Sequence, residues 1–264
     1  MTAFDPRPAA AALLDARNAR APAGPLPEAI VPRDLTEGVA VQHALAALLG
    51  AVPPGGFKIG ATAKRMQDYL GLAGPAAGFM RAADLYPGGV ELAWTEFRQP
   101  GVECEIGVRL ARALPPGPCT PEEAEAAVGD LFAAIELVEN RYGKPPAGDL
   151  ARIGTPTLIA DQVYHAAAVL GPPASWRGVD LAALPGRIAV DGIERASGFG
   201  GDLLGHPMRA LAWLAGSDVA AAFGGLRAGQ VVMLGSVTPP IWLDGPATVT
   251  VAFDGFPEAV VQLR

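Results

Sequence analysis

Glycine and proline together fill 59 of the 264 positions, 33 and 26 of them respectively, and cut the chain into short elements joined by turns. No three-residue period accompanies them, which excludes a collagen-like chain. Half of the residues are hydrophobic and 18% are charged, so the segments between turns carry enough apolar surface to build a core. The length fits one large domain, or one domain with a smaller N-terminal attachment.

Pro8–Ala19 and Gly38–Leu49 read as helices, the second with Val39, Val41, Leu45 and Leu48 as its apolar stripe and Thr36 as its cap. The PPGG run from Pro53 to Gly56 ends that pattern. We therefore expect a helical attachment over residues 1–55 and a catalytic domain over 56–264. Strands are expected at Gly56–Ile59, Val102–Leu110, Gly186–Val190, Val231–Leu234 and Ala247–Phe253. A helix is expected from Pro121 to Asp130, with Thr120 and Glu123 forming a capping box. Another starts at Pro207 and turns Met208, Leu211, Ala212, Leu214 and Ala215 to the core. The late strands lack crossover helices, which favours a mixed α+β arrangement over a doubly wound sheet.

Composition narrows the function classes. Twenty basic residues stand against 27 acidic ones, a net charge of −7, and no basic cluster occurs, so nucleic acid is not an expected partner. No uninterrupted apolar segment reaches a spanning length, and the N-terminus lacks a secretory pattern; a cytoplasmic protein without a membrane partner is expected. Cys104 and Cys119 stand fifteen residues apart without a partner motif, which excludes a disulfide scaffold or zinc knuckle. Neither a Walker sequence nor a GxGxxG loop is present, so a nucleotide cofactor is not expected.

Chemistry concentrates in GVECEIGVRL, Gly101–Leu110. On a strand, Glu103 and Glu105 share one face, while Val102, Cys104, Ile106 and Val108 share the other. Two like charges so placed need water or a cation, and an exposed polar face is the plain alternative. Glu136 sits inside the apolar run LFAAIELVENRY, where a carboxylate must be paired or metal-bound. Glu103, Glu105 and Glu136 can supply three oxygens to Mg²⁺ or Mn²⁺. A salt bridge from Glu136 to Arg141 or Arg109 competes with that reading. In GFKIG, Lys58 faces away from Phe57 and Ile59 and can hold a carboxylate or move a proton. Lys64 and Arg65 read as exposed, with one able to meet an anionic substrate tail. Asp84, at a strand–turn junction, can act as an acid or base or cap the turn.

From LTEGVAVQ at Leu35 to the C-terminus the chain resembles the 2-keto-4-pentenoate hydratase branch of the fumarylacetoacetate hydrolase superfamily. The resemblance rests on GFKIGATAKRMQ, the turn before Asp84, VECEIG, AIELVENR, GHPMRALAWL and GQVVMLGSVTPP, in that order. It implies a mixed β-roll of the fumarylacetoacetate hydrolase C-terminal type, a homo-oligomer, and Mg²⁺ or Mn²⁺ on Glu103, Glu105 and Glu136. It also implies that Lys58 and Asp84 belong to the reactive pocket. The implied reaction is metal-dependent hydration of a 2-hydroxy-2,4-dienoate to a 4-hydroxy-2-oxoacid, with a small 2-oxo acid or dienoate as ligand. A 2-oxo-acid decarboxylase of the 4-oxalocrotonate type and a non-catalytic 2-oxo-acid-binding protein are the alternatives.

Two segments depart from the family pattern. VENR replaces VDSR, so Glu139 is one methylene longer and precedes Asn140 and Arg141. ADQVY replaces ADNAS, keeping Asp161 but placing Tyr164 where a smaller polar group is usual. Lys64, Glu139, Arg141, Asp161 and Tyr164 are the expected substrate-side residues. Carbon–carbon hydrolysis is disfavoured, because that reaction uses a histidine ahead of the paired carboxylates and none lies between His43 and Glu103. His43, His165 and His206 are expected to serve packing, subunit contact or a helix terminus.

Overall fold

The computed structural model describes residues 4–19, 22–143 and 150–264. Helices α1 (Arg7–Ala19) and α2 (Leu35–Leu48) precede β1 (Gly56–Gly60), α3 (Lys64–Leu70) and β2 (Ala76–Met80). Two short strands, β3 (Leu85–Pro87) and β4 (Val90–Leu92), lead to the long β5 (Pro100–Leu110). Helix α4 (Pro121–Ala127) runs directly into β6 (Val128–Glu139), and α5 (Leu150–Ile153) and α6 (Thr155–Ala160) precede β7 (His165–Leu170). The remainder comprises β8 (Pro185–Val190), β9 (Ile193–Phe199), α7 (Pro207–Ala215), α8 (Asp218–Ala222), β10 (Val231–Ser236), β11 (Ile241–Trp242), β12 (Ala247–Phe253) and β13 (Ala259–Leu263).

The strands form two sheets. The larger is mixed, in the order β2-β1-β10-β5-β6-β7-β3, with β11 also paired to β5. The smaller follows β4-β13-β12-β8-β9. Alternation decides how they meet. Val102, Cys104, Ile106 and Val108 of β5 and Ile135 and Leu137 of β6 pack into one core with Val249, Val251 and Phe253 of β12. The reverse face of the large sheet carries a smaller apolar cluster of Met80, Phe132, Ala134, Ala168, Val231 and Met233. That second face also presents Glu103, Glu105 and Glu136. This is the mixed α+β architecture expected from the pattern of short strands.

Local boundaries differ from expectation in two places. Helix α2 starts at Leu35, and its cap is Asp34, whose Oδ1 accepts from the Glu37 N–H at 2.8 Å, in place of Thr36. Helix α4 stops at Ala127, and Val128 opens a twelve-residue strand paired to β5 on one side and β7 on the other. Its capping box is formed by Thr120 and Glu123 as their spacing required. The helices ahead of Gly55 share the main core: Ala9, Leu13, Val41 and Leu45 are buried with the sheet residues. Among the described residues, no helix is long and apolar enough to cross a membrane.

Candidate metal centre

Strands β5 and β6 are antiparallel, and Glu103 lies directly opposite Glu136, with Glu105 two residues further on the same face. One oxygen from each of the three carboxylates lies within 4.8 Å of the others. Glu105 and Glu136 are buried, while Glu103 is the half-buried member that faces outward. Register makes this convergence obligatory. A one-residue slip of either strand would turn that strand's carboxylates into the core between the sheets.

A bulge supplies the next contact. The β10–β5 register shifts between Met233 and Ser236. Gly235, at φ +106°, turns its N–H to Glu105 Oε2 at 2.9 Å. A side chain there would meet Thr62 at 2.6 Å, so only glycine allows the approach.

Lys58 reaches the cluster from β1, pointing away from Phe57 and Ile59 as alternation demands. Its Nζ lies 3.3 Å from Glu136 Oε1 and donates to the Val163 carbonyl at 2.8 Å. The amine is 2% exposed, and Gly60 leaves room for it: a Cβ there would lie 3.3 Å from Nζ. Glu136 therefore takes a lysine as its buried partner, in place of the arginine considered from sequence. Arg109 contacts Asp130 at 3.8 Å, and Arg141 is committed to Asp161 and Glu139.

His165 was read from sequence as a packing, subunit-contact or helix-terminus residue, and it belongs to this centre. Its Nδ1 lies 2.9 Å from Glu136 Oε1. The sequence signal was faint: a histidine just after ADQVY, with β7 and its register needed to bring it beside Glu136. The other two histidines keep ordinary roles. His206 caps α7 by accepting from the Met208 N–H at 3.1 Å, and the His43 ring packs on Phe223.

Electrostatics separate the three carboxyls. Burial and then the charge of Glu136 push Glu103 up to about 8, against an opposing pull from Lys58. Burial and both neighbours push Glu105 well above the ordinary carboxylate range, opposed by the Gly235 N–H. Burial alone would raise Glu136 as well, but Lys58 and His165 outweigh it and hold this carboxyl down at about 2. Burial also lowers the His165 pKa, which keeps the ring neutral. A neutral ring beside a carboxylate carries its proton on Nδ1, and the Nδ1–H donates to Glu136.

These residues fit a hard divalent cation. Glu105 Oε1 and Glu136 Oε2 are buried without a hydrogen-bond partner, a costly state that a cation relieves. The three carboxylates offer only oxygen donors, as Mg²⁺, Mn²⁺ and Ca²⁺ prefer.

The substrate-side expectations divide. Asp161 is 2% exposed and held by two arginines: Arg141 Nε donates to Oδ2 at 2.8 Å, and Arg17 Nε to Oδ1 at 2.9 Å. Its carboxyl is held below the usual range because those arginines overcome its burial. Arg141 also donates to the Asp161 carbonyl at 2.7 Å and the His165 carbonyl at 2.9 Å. Both residues therefore tie α1 and the Asp161–His165 turn together. Glu139 accepts the Arg98 N–H at 2.7 Å. Tyr164 is half-buried and meets Tyr142 edge-on, with ring centroids 6.2 Å apart. Lys64 is exposed on α3 and paired with Asp68, outside the buried cluster. Asp84 is chelated by Arg81 through two bonds of 2.6 Å and makes no hydrogen bond to Lys58. It lines a cavity of about 240 Å³ with His165, Glu139 and Arg141. A cleft of about 840 Å³ lies elsewhere, between Pro53, Tyr86, Arg109 and Arg227, and includes none of the three carboxylates.

Residues 60–264 match the fumarylacetoacetate (FAA) hydrolase C-terminal family. A 2-keto-4-pentenoate hydratase of Paraburkholderia phymatum is 32% identical over 249 residues, covering 93% of this chain and 92% of that protein. A 2-hydroxyhexa-2,4-dienoate hydratase of Comamonas testosteroni is 32% identical over 206 residues, covering 75% of this chain and 72% of that one. Among solved structures, a 4-oxalocrotonate decarboxylase from Pseudomonas putida G7, complexed with magnesium and adipate, superposes over the full length of both chains. The TM-score is 0.87 at 21% identity, which speaks to the fold.

Proposed function

This chain belongs to the fumarylacetoacetate hydrolase family, on its 2-keto-4-pentenoate hydratase branch, and we propose that it hydrates a 2-hydroxy-2,4-dienoate to a 4-hydroxy-2-oxoacid. It is a hydro-lyase of aromatic-compound catabolism, as the relatives named hydratases support. The observation that carries the reading is the buried Glu103–Glu105–Glu136 cluster with Lys58 against it. Magnesium or manganese is the proposed ion, and a cytoplasmic homo-oligomer the proposed state.

When bound, a divalent cation supplies positive charge that favours the enolate form of a 2-oxo acid. Glu103, Glu105 and Glu136 would hold that ion. Hydration adds a proton at C5 and another at C3, a hydroxyl at C4, and releases the enol proton. Lys58 is the group we assign to proton handling, because its ammonium sits at the cluster and its donors are already aligned. Asp84 is assigned to the same task from the far side of His165, where it lines the adjoining cavity. Val163, through its carbonyl, fixes the direction of the Lys58 amine. Tyr164 narrows the space next to that carbonyl and limits the substrate tail. Lys64, at the exposed N-terminus of α3, is left with a long-range role towards an anionic tail.

Decarboxylation of a 4-oxalocrotonate-type acid is the second reading, since loss of carbon dioxide also leaves an enolate. Incubation of Mg²⁺-loaded protein with 2-hydroxypenta-2,4-dienoate and with 4-oxalocrotonate, following hydration product and carbon dioxide, separates the two. Hydration product from the dienoate is the expected result. Rapid carbon dioxide release without hydration overturns it, and ligand binding without any product leaves a binding protein.

A further inference from the structure

After α6 ends, Gln162, Val163 and Tyr164 all adopt left-handed backbone, with φ of 63°, 50° and 67°. Each such residue costs about 1–3 kcal/mol, most of all for a β-branched valine, so the surroundings must hold the turn. Gln162 Nε2 donates to the Phe79 carbonyl at 2.6 Å, and Arg141 donates to the carbonyls at both ends, Asp161 and His165. The turn delivers two contacts to the acidic cluster: the Val163 carbonyl on Lys58, and the His165 ring on Glu136.

The imidazole is 2% exposed, and its Nε2 has no hydrogen-bond partner. Burying an unpaired acceptor is unfavourable, and a phenyl ring would fill the space without one. Packing alone does not account for histidine here. The Nδ1–H donated to Glu136 Oε1 does, because Glu136 Oε2 is the oxygen left without a protein partner. We propose that His165 is a positioning residue of the metal centre, which orients Glu136 through Nδ1 and thereby sets the affinity for the divalent ion. The inference rests on the metal reading of the Glu103–Glu105–Glu136 cluster.

The test is calorimetric titration of Mg²⁺ into the full chain, without substrate, for wild type and the His165→Asn, His165→Gln and His165→Phe variants. Asparagine can place its amide N–H where Nδ1 donates, whereas glutamine places it nearer Nε2. Affinity in His165→Asn is expected within about threefold of wild type, with His165→Gln and His165→Phe weakened about 10- to 100-fold. A space-filling role predicts the reverse order, since glutamine is closer to histidine in size. Glutamine binding as well as or better than asparagine overturns the proposal, as does equal affinity in all variants. The Asn–Gln comparison stands alone if His165→Phe does not fold. Glu136→Gln, titrated alongside, keeps the two readings apart. Unchanged Mg²⁺ affinity there defeats the metal centre itself, whereas its loss with His165→Gln unaffected defeats only the role of His165.

Discussion

In metal-free protein the three glutamates should respond very differently to neutralisation. Glu136 Oε1 is the buried acceptor of Lys58 at 3.3 Å and of His165 at 2.9 Å. Glu136→Gln leaves the Lys58 ammonium buried without its counter-charge, against the Val163 carbonyl and a neutral amide. Breaking a buried pair by removing one partner costs about 3–5 kcal/mol. Relief of repulsion offsets little, because Glu103, held up at about 8, is largely protonated at neutral pH, and burial pushes Glu105 well above the ordinary carboxylate range. For a chain this long, a loss of about 3 kcal/mol lowers Tm by roughly 6–12 °C. Glu103 is half-buried and makes no hydrogen bond or ion pair within the described residues. Glu103→Gln should therefore stay within about 1 kcal/mol of wild type in the same buffer. Urea and thermal melts in chelator at pH 7 read this asymmetry. Added Mg²⁺ at a hundredfold excess over Kd should stabilise wild type by about 2.7 kcal/mol and neither variant to that extent. Equal destabilisation by the two variants in chelator would refute the Lys58–Glu136 pairing as the organising contact.

Lys58→Met should lower turnover by roughly 10²-fold or more while changing Mg²⁺ affinity by less than tenfold; steady-state kinetics and titration check the two halves, and near-wild-type kcat and KM remove Lys58 from the mechanism. Because Glu103 is pushed up to about 8 and Glu105 well above the ordinary carboxylate range, Mg²⁺ binding should release protons and tighten as pH rises towards about 8. Calorimetry in buffers of different ionisation enthalpy measures this, and zero net release counts against it. Asp161, whose carboxyl is held low in the fold, contributes stability that is full above its unfolded pKa and lost as pH falls through its lower folded value. Asp161→Asn should therefore be less stable at pH 7 and show a flatter acid-unfolding profile, read by fluorescence across pH 2–6; an unchanged profile would mean that Arg17 and Arg141 do not act through its charge.

Alternation carried much of this centre into view from sequence. Glu103 and Glu105 are separated by one residue, so any strand puts them on one face, and Lys58 is set against Phe57 and Ile59 by the same rule. Glu136 was conspicuous because a lone carboxylate in LFAAIELV has no inexpensive place in a core. Pairing was not visible. Nothing local says that Glu136 lies opposite Glu103, or that its cation is Lys58 and not Arg141. His165 was missed for the same reason: its role depends on the register of β7 against β6 and on a left-handed turn, and non-glycine residues give no advance signal of that conformation. The caps show the other limit. Thr36 and Asp34 are both acceptable caps two residues apart, and only the start of the helix chooses between them.

The centre is built from two kinds of structure, and they constrain change differently. Glu103, Glu105 and Glu136 stand on a continuous antiparallel ladder whose slippage would bury charge between two sheets. Lys58, by contrast, is aimed by Val163, and Glu136 by His165, both from a turn held by side-chain bonds to Arg141, Arg17 and Gln162. Substitutions in ADQVY can therefore re-aim the Lys58 and Glu136 contacts while the three carboxylates stay in register. The Asp161–His165 turn is thus the place where a change can alter the Lys58 and Glu136 contacts without moving the carboxylates. Gln162 and Tyr164 lie in that turn, whereas Glu139 ends β6 opposite Pro100, so the two departing segments reach the centre by different routes.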